Sequence, residues 1–576
     1  MRYLASLPLL LLVACAPTDG AAPSPAQVDT EAPPYALASC AVCDPEPSAI
    51  SGDDDDDDLT EEPTPEPVPP VCPAVPTEDG VTLAEVSECA GISRPIDLVS
   101  EYLGTAQAWG DADGDGVLDL VTADPATLAI LYLGQPGGTF IASKDWELPE
   151  IDLVGGATFV DYDNDGLRDL HLLRLGADVL LRNTGSGFED VSVASGLDAA
   201  DGMSQSAAWA DYDGDGFLDA YVVAWICGDC VDPVTGQVST FSDDSFFHNE
   251  GDGTFTDVSG LLPTLEMSGA GYAATWSDLD NDGDPDLLVA NDKGYPGPPP
   301  VGGPLNRNAH FRNDGPGCGG WCFAEIGEES GFGLHMDGMG IAVADYDQDL
   351  DFDVLVSDSA PPRLFEQFGG SFIDASLAAD TGTAVTVGEE EGWGLHWFDL
   401  QNDGCLDLFE AVGPSSRDPH DHLRTSDCEG MFVDASAVLE PRSPMICYGT
   451  ATADYDADGR MDFVEGCDIA GHRLYRNLGS GEDNAWLQLR LFGGQGVNMD
   501  AVGARALLVD SKGRQHLQEV RIGGSVGSGH DLTLHFGLGE ASVVSLTITW
   551  PDGAVDPLGA VSTGQRILRS RAASGP

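Results

Sequence analysis

Residues 209–223 read WADYDGDGFLDAYVV. Asp211, Asp213 and Asp215 occupy alternate positions, Gly216 follows, and Asp219 comes three residues later, with apolar residues on both sides. Carboxylates packed this closely repel one another, so the phrase calls for a cation. Alternate side chains of a tight turn converge on one point, and glycine at the sixth position permits a reversal where a β-carbon would clash. The apolar flanks have the length and residue types of strands. D-x-D-x-D-G-x-x-D between two strands therefore reads as a metal-binding β-hairpin. A cation that accepts roughly six to eight oxygens in flexible geometry is calcium; magnesium demands a stricter octahedron and keeps its water. Histidine and cysteine ligands of a transition-metal site are missing from the phrase.

The phrase recurs. Its acidic positions are Asp111, Asp113, Asp115 and Asp119, then Asp161, Asp163, Asp165 and Asp169, ahead of the opening copy. After it come Asp278, Asp280, Asp282 and Asp286, then Asp345, Asp347, Asp349 and Asp353. Asp399, Gln401, Asp403 and Asp407 follow, and Asp454, Asp456, Asp458 and Asp462 close the series. The seven copies start 50, 50, 67, 67, 54 and 55 residues apart. Each has a short alternating apolar segment before and after it, and several are followed by a phrase of the type RN.G.G.F.DVS, as at Arg182–Val191. Such a repeat holds about four strands, the size of a propeller blade. The expected fold is all-β: a seven-bladed β-propeller over residues 76–482, then a small β-sandwich-like domain. Val81–Ile92 resembles the F.DVS..SGL strand of later repeats but has no blade of its own, so it is expected to complete the seventh blade. The fifth copy has Leu350 at the glycine position and the sixth has neutral Gln401 at position 3, so both are expected to bind calcium more weakly. About seven calcium sites are expected in all.

The calcium hairpins resemble those of FG-GAP or VCBS repeats, as in integrin α-subunit propellers. From Asn484 the acidic loops stop and several alternating strands follow. VGARALLV at Val502–Val509, LHFGLG at Leu534–Gly539 and WPDG at Trp550–Gly553 resemble the ASPIC/UnbV domain, placed at residues 483–570 with a tail at 571–576. Together the two parts resemble the cartilage acidic protein family. The resemblance implies an extracellular calcium-binding propeller used in matrix or surface interaction, and it brings no settled enzymatic activity.

The N-terminus sets the expected compartment. Arg2 precedes an apolar run, Leu7–Val13, too short to span a bilayer and typical of a secretory signal. Leu12-Val13-Ala14-Cys15 resembles a bacterial lipobox, which implies a signal peptide over residues 1–15, lipidation of Cys15 and a membrane anchor. Ala16 after that cysteine argues for the outer membrane or cell surface. Residues 16–75 are rich in Pro and acids, with six consecutive aspartates at Asp53–Asp58, and read as an extended, solvated tether. Without Cys15, twelve of the 13 cysteines remain, an even number suited to an oxidising compartment. Neighbour pairing would join Cys40/Cys43, Cys72/Cys89, Cys227/Cys230, Cys318/Cys322, Cys405/Cys428 and Cys447/Cys467.

A net charge of −74 repels phosphates and excludes nucleic acid as a partner. A surface binding or adhesion module is the leading reading, with a glycan or protein ligand presented to the ring's loops. The long insertions Cys227–Asp244 and Gly294–Arg307 are candidates for that surface. The alternative is an extracellular calcium-dependent polysaccharide lyase or hydrolase, which needs acids or bases converging outside the metal loops. His310, His335, His396, His420 and His422 are its candidates; His335 and His396 are expected to pack inside the blades, and His420 and His422 to be solvated. The sequence has no G-x-S-x-G, H-E-x-x-H or phosphate-binding glycine loop, so no catalytic residue is assigned and the protein is not read as an enzyme.

Overall fold

Each acidic phrase joins the first two strands of a four-stranded antiparallel unit. In the computed structural model, Val154–Val160 runs into Asp161 and Asp169–Arg174 runs out of it; Val179–Asn183 and Phe188–Asp190 complete the sheet. The structure describes residues 82–571 except 93–103, 124–127, 144–145, 198–201, 228–242, 264–270, 293–306, 360, 382–390, 414–419, 429, 440–445, 468–470, 480–483 and 495. The expected signal peptide, lipidated Cys15, tether, Cys40/Cys43 pair and the bulk of both long insertions lie outside the described residues.

Seven such sheets follow one another along the chain. The first strand of each lies beside the first strand of the next, and Cys447–Ala453 of the seventh lies beside Ala106–Gly110 of the first, so the sheets close a β-propeller ring. Thr82–Glu85 pairs antiparallel with Gly471–Gly479 as the outer strand of the seventh sheet, the closure expected from its likeness to Phe188–Leu197. It joins the two ends of the ring by backbone hydrogen bonds. The F.DVS phrases also carry a feature the sequence reading left out. After the outer strand the chain makes one helical turn, Ser87–Ala90, Ser192–Ser195, Gly327–Ser330 or Ser376–Ala379, each ended by a left-handed residue.

The RN phrases fix neighbouring sheets to each other. Asn183 is fully buried; its Nδ2 donates to Ala112 O (2.8 Å) in the preceding hairpin and to Arg168 O (2.9 Å) in its own. Asn249, Asn313 and Asn477 repeat the reach back to Tyr162 O, Tyr212 O and Leu400 O, and Gln367 does so to Leu279 O. Asn183→Ala would leave these buried carbonyls and the Gly185 N–H without partners. The expected cost is about 3 kcal/mol, read as a lower denaturation midpoint at unchanged m-value.

Beyond Asn484 two further sheets face each other in a small sandwich. One is Leu534–Gly539, Ala485–Phe492 and Gln565–Ser570; the other is Gln515–Glu519, Arg505–Asp510, Val543–Thr549 and Val555–Gly559. This domain does not stand apart from the ring, because all described residues belong to one compact unit. Its segment 521–531 enters the centre of the ring and meets every sheet. Ser528–Gly529 pairs with Gln107–Ala108 of the first sheet, and a β-carbon on Gly529 would lie 3.1 Å from Thr158 Cα of the second. Gly527 N donates to Gln205 O (3.0 Å) of the third and Gly524 N to Ala274 O (2.9 Å) of the fourth. A β-carbon on Gly524 would lie 3.0 Å from Ile341 O of the fifth. Leu395 N donates to Ser525 Oγ (3.1 Å) from the sixth, and Asp531 N to Thr452 O (3.1 Å) of the seventh. The far end is filled by Trp225, Tyr272, Trp393 and Tyr448, whose rings meet in series at centroid distances of 5.0, 5.4 and 4.8 Å, the first contact tilted and the other two edge-to-face, and cluster with Val526. The many alanines and glycines of the inner strands answer to this crowding.

Among the described residues, disulfides join Cys318–Cys322, Cys405–Cys428 and Cys447–Cys467, as neighbour pairing predicts. Cys89 is a free, half-buried thiol; its expected partner Cys72 lies outside the described residues, as does Cys230 of the Cys227 pair.

Candidate metal-binding hairpins

In the second hairpin Asp161 Oδ1 accepts the Asp165 N–H (3.1 Å) and Oδ2 the Gly166 N–H (2.8 Å). Asp163 Oδ1 accepts the Asp165 N–H (3.2 Å), and Asp165 Oδ1 the Leu167 N–H (2.9 Å). Asp169 is fully buried; it ties the hairpin shut through the Tyr162 N–H (3.3 Å) and to the third strand through the Asn183 N–H (2.7 Å). With the loop held open this way, carboxylate oxygens of Asp161, Asp163 and Asp169 lie within 4.8 Å of one another. Asp111, Asp113 and Asp115 converge likewise, and Asp213 and Asp219 converge with His248.

The pattern recurs in every copy. The residue at position 6 donates its N–H to Asp111, Asp211, Asp278, Asp345, Asp399 and Asp454 at 2.7–3.2 Å. Position 6 is left-handed throughout, with φ of 86–103° at the glycines and 78° at Leu350, a conformation strained for a branched side chain. Position 4 is left-handed too: Gly114, Asn164, Gly214, Asn281, Gln348, Asn402 and Ala457 have φ of 57–76°. The sequence reading gave position 4 no role, although its run of Gly and Asn is the usual mark of this backbone.

Among the described residues, several carboxylate and amide oxygens in the hairpins are buried with no hydrogen-bond donor: Asp345 Oδ2, Asp353 Oδ2, Asp462 Oδ2 and Gln401 Oε1. Buried polar atoms without partners are uncommon and costly. Burial, reinforced by neighbouring aspartates, pushes the Asp169 and Asp353 carboxyls up to about 9 and those of Asp211 and Asp286 up to about 8. Asp407 and Asp462 also rise well above the carboxylate range, again chiefly through burial. An all-oxygen donor set of this charge fits a hard divalent cation, with Gln401 supplying a neutral oxygen in the sixth loop.

Sequence reasoning missed a second layer. Arg182 Nε lies 2.8 Å from Asp163 Oδ2, Arg476 pairs with Asp456, and His248 Nδ1 lies 3.1 Å from Asp219 Oδ1 and 3.6 Å from Asp213 Oδ2. The hydrogen bond to Asp219 lifts His248 to about 9. Arg182, His248 and Arg476, each directly before a staple asparagine, thus place a cation beside position 3 of the second, third and seventh hairpins.

The histidines considered for catalysis do not converge with these loops. His396 and His310 are buried in strands, and burial holds His310 down at about 4. His335 is exposed on a loop, contrary to the expectation that it packs inside a blade. Two glycines, Gly338 and Gly340, lie between it and the strand Ile341–Ala344, which starts only after them. His422 faces Glu410 Oε2 at 3.3 Å and is half-buried, not simply solvated.

A family model for ASPIC and UnbV matches residues 494–574, and one for the FG-GAP-like repeat matches residues 111–172, 161–222 and 234–289. Cartilage acidic protein 1 of Homo sapiens is 23% identical over 430 residues, covering 69% of this chain and 60% of that protein. The Xenopus tropicalis protein of the same name is 25% identical over 265 residues, covering 43% and 38%. The chain thus spans less than two thirds of the length of the relatives it matches. Among solved structures, an Agrocybe aegerita lectin that recognises non-reducing terminal N-acetylglucosamine is 18% identical, with 60% and 81% coverage and a TM-score of 0.37. BP39L lectin from Burkholderia pseudomallei is 12% identical, with 66% and 97% coverage and a TM-score of 0.39.

Proposed function

We propose a function for what is a β-propeller of FG-GAP-like repeats closed by an ASPIC/UnbV domain and homologous to cartilage acidic protein 1: it is a calcium-stabilised binding protein that presents a rigid ring to an extracellular glycan or protein. The observation that carries it is the sevenfold repetition of one all-oxygen hairpin, with buried carboxylate oxygens that no protein donor reaches. Calcium would be held by positions 1, 3, 5 and 9 of each hairpin. It supplies the positive charge that lets these acids stay ionised while buried, and no chemistry is asked of it. The protein residues do the rest: the left-handed positions 4 and 6 shape the loop, the position-9 aspartate binds it to the third strand, and the asparagine staple passes that order to the next sheet. Three disulfides support export to an oxidising compartment, and the lipobox and acidic tether support anchorage at the cell envelope.

The test is a binding screen against glycans and surface proteins with calcium and with EGTA. A partner retained only with calcium is the expected result. A folded, calcium-loaded ring that retains none would count against the binding reading.

The carboxyl shifts set a pH dependence. Without cation, the folded-state pKa of Asp169 or Asp353 lies above the unfolded value of 3.8, so the folded state binds more protons across that window. Stability of the chelated protein therefore falls as pH rises from about 4 to 9. Calcium competes with those protons, so its contribution grows over the same range. The gap between melting temperatures with calcium and with EGTA is expected to widen from pH 5.5 to pH 8; a gap that narrows would contradict the assignment.

A further inference from the structure

We infer that the C-terminal β domain is a working part of the cation sites: its side chains hold four of the hairpins from outside, so its docking and cation loading are coupled. The inference rests on the calcium reading above and goes beyond it in assigning residues and a linkage.

At the seventh hairpin, Gln488 Nε2 donates to Asp454 Oδ2 at 2.8 Å, and Gln488 Oε1 is held by Arg566 Nε at 2.8 Å. Gln488 is buried, so this pair is oriented by packing. At the fourth, Arg505 NH1 donates to Asn281 Oδ1 (2.6 Å) and lies 3.6 Å from Asp278 Oδ2, while its Nε is anchored on Glu519 (2.9 Å). At the second, the Asp161 N–H donates to Asp500 Oδ2 (2.9 Å) and the Met499 N–H to Asn164 Oδ1 (2.8 Å). At the sixth, the Leu538 and Gly539 N–H groups donate to Asn402 O (3.1 and 2.7 Å), and His535 Nε2 lies 2.6 Å from Asn402 Oδ1.

Each of the four hairpins is contacted at position 1, which bears the first carboxylate, or at position 4, the left-handed residue that bends the loop around its centre. The sixth is also held at positions 3 and 5, where Asn484 Nδ2 donates to Gln401 O and Arg514 Nη1 to Asp403 O, both at 2.8 Å. Position 1 is a proposed cation ligand and position 4 shapes the loop, so an outside partner at either one acts on the site. Partners of this kind, which orient metal ligands without touching the metal, typically set about 10–100-fold in affinity. Coupling of two equilibria is reciprocal: if the docked domain tightens the hairpins, loaded hairpins tighten the docking. The segment in the ring centre adds what four rim contacts alone lack, a shared seat on all seven sheets.

The test uses the full chain with a protease site placed between Gly479 and Asn484, so that the ring and the C-terminal domain can be separated after folding. Calcium binding is measured by titration calorimetry on the uncut protein, and the cut protein is run by size exclusion with calcium and with EGTA. Co-elution in calcium and separation in EGTA is the expected result. Co-elution in both, with calcium binding intact, overturns the coupling and leaves the calcium reading standing. No calcium binding overturns both. As a second readout, Gln488→Ala is expected to weaken one site about 10–100-fold and leave the others unchanged; unaltered affinity at every site would refute the assigned role of Gln488.

Discussion

Chelation with EGTA is expected to lower the melting temperature by about 10 °C. At a free calcium concentration tenfold above Kd, mass action contributes about 1.4 kcal/mol per site, so seven hairpins contribute on the order of 10 kcal/mol, comparable with the stability of a whole domain. A cooperative unit of roughly 500 residues has an unfolding entropy near 1 kcal/mol/K, which converts that loss into about 10 °C. The loss is spread over the ring, because every position-9 aspartate is tied to the third strand, and Asp119, Asp169, Asp219, Asp286 and Asp407 are tied to their own hairpins as well, as Asp119 is through the Gly134 and Ala112 N–H groups. Calorimetry at matched ionic strength, with and without EGTA, reads the effect. A melt that does not move removes calcium from the account of the fold.

Gly527→Val is the substitution expected to damage the protein most. Gly527 has φ of 65°, and a β-carbon there would stand 2.4 Å from Thr105 O and 2.6 Å from Gly155 O, two backbone atoms that cannot swing aside. A β-branched residue is a poor occupant of that backbone region, and the clash adds an overpacking cost. Together these amount to on the order of 4 kcal/mol. Gly260→Ala is the control, since a β-carbon there meets nothing within 4 Å. If Gly527→Val melts like the control, segment 521–531 does not seat in the ring as described.

Much of the ring could be read in the chain because its signals are local. Each hairpin declares itself within nine residues, the flanking strands lie next to it, and the pairs Cys405/Cys428 and Cys447/Cys467 are brought together by neighbouring strands. Even the closure by Thr82–Glu85 was visible, because that segment repeats a phrase found in other sheets. The central segment was not visible, for the opposite reason. RIGGSVGSGHD looks like a glycine-rich turn between strands, and its partners lie as far as 421 residues away. Glycine clustering was the one trace of its close approach to backbone, and glycine marks a turn equally well. Arg182 and Asn183 carry no local sign of a function in the RN phrase, because a staple to the preceding sheet and a charge over position 3 exist only once the sheets are stacked. His335 lies outside a blade for a local reason: its strand context suggests burial, but Gly338 and Gly340 intervene and the strand begins only at Ile341.

The central claim is that seven cation-loaded hairpins hold this ring. The most direct test is to count calcium: dialyse the folded chain to equilibrium and measure metal per protein by elemental analysis. The account predicts about seven ions per chain, with the Leu350 and Gln401 loops the first to empty as calcium is lowered. A folded, monomeric chain that holds one calcium ion or none would contradict it.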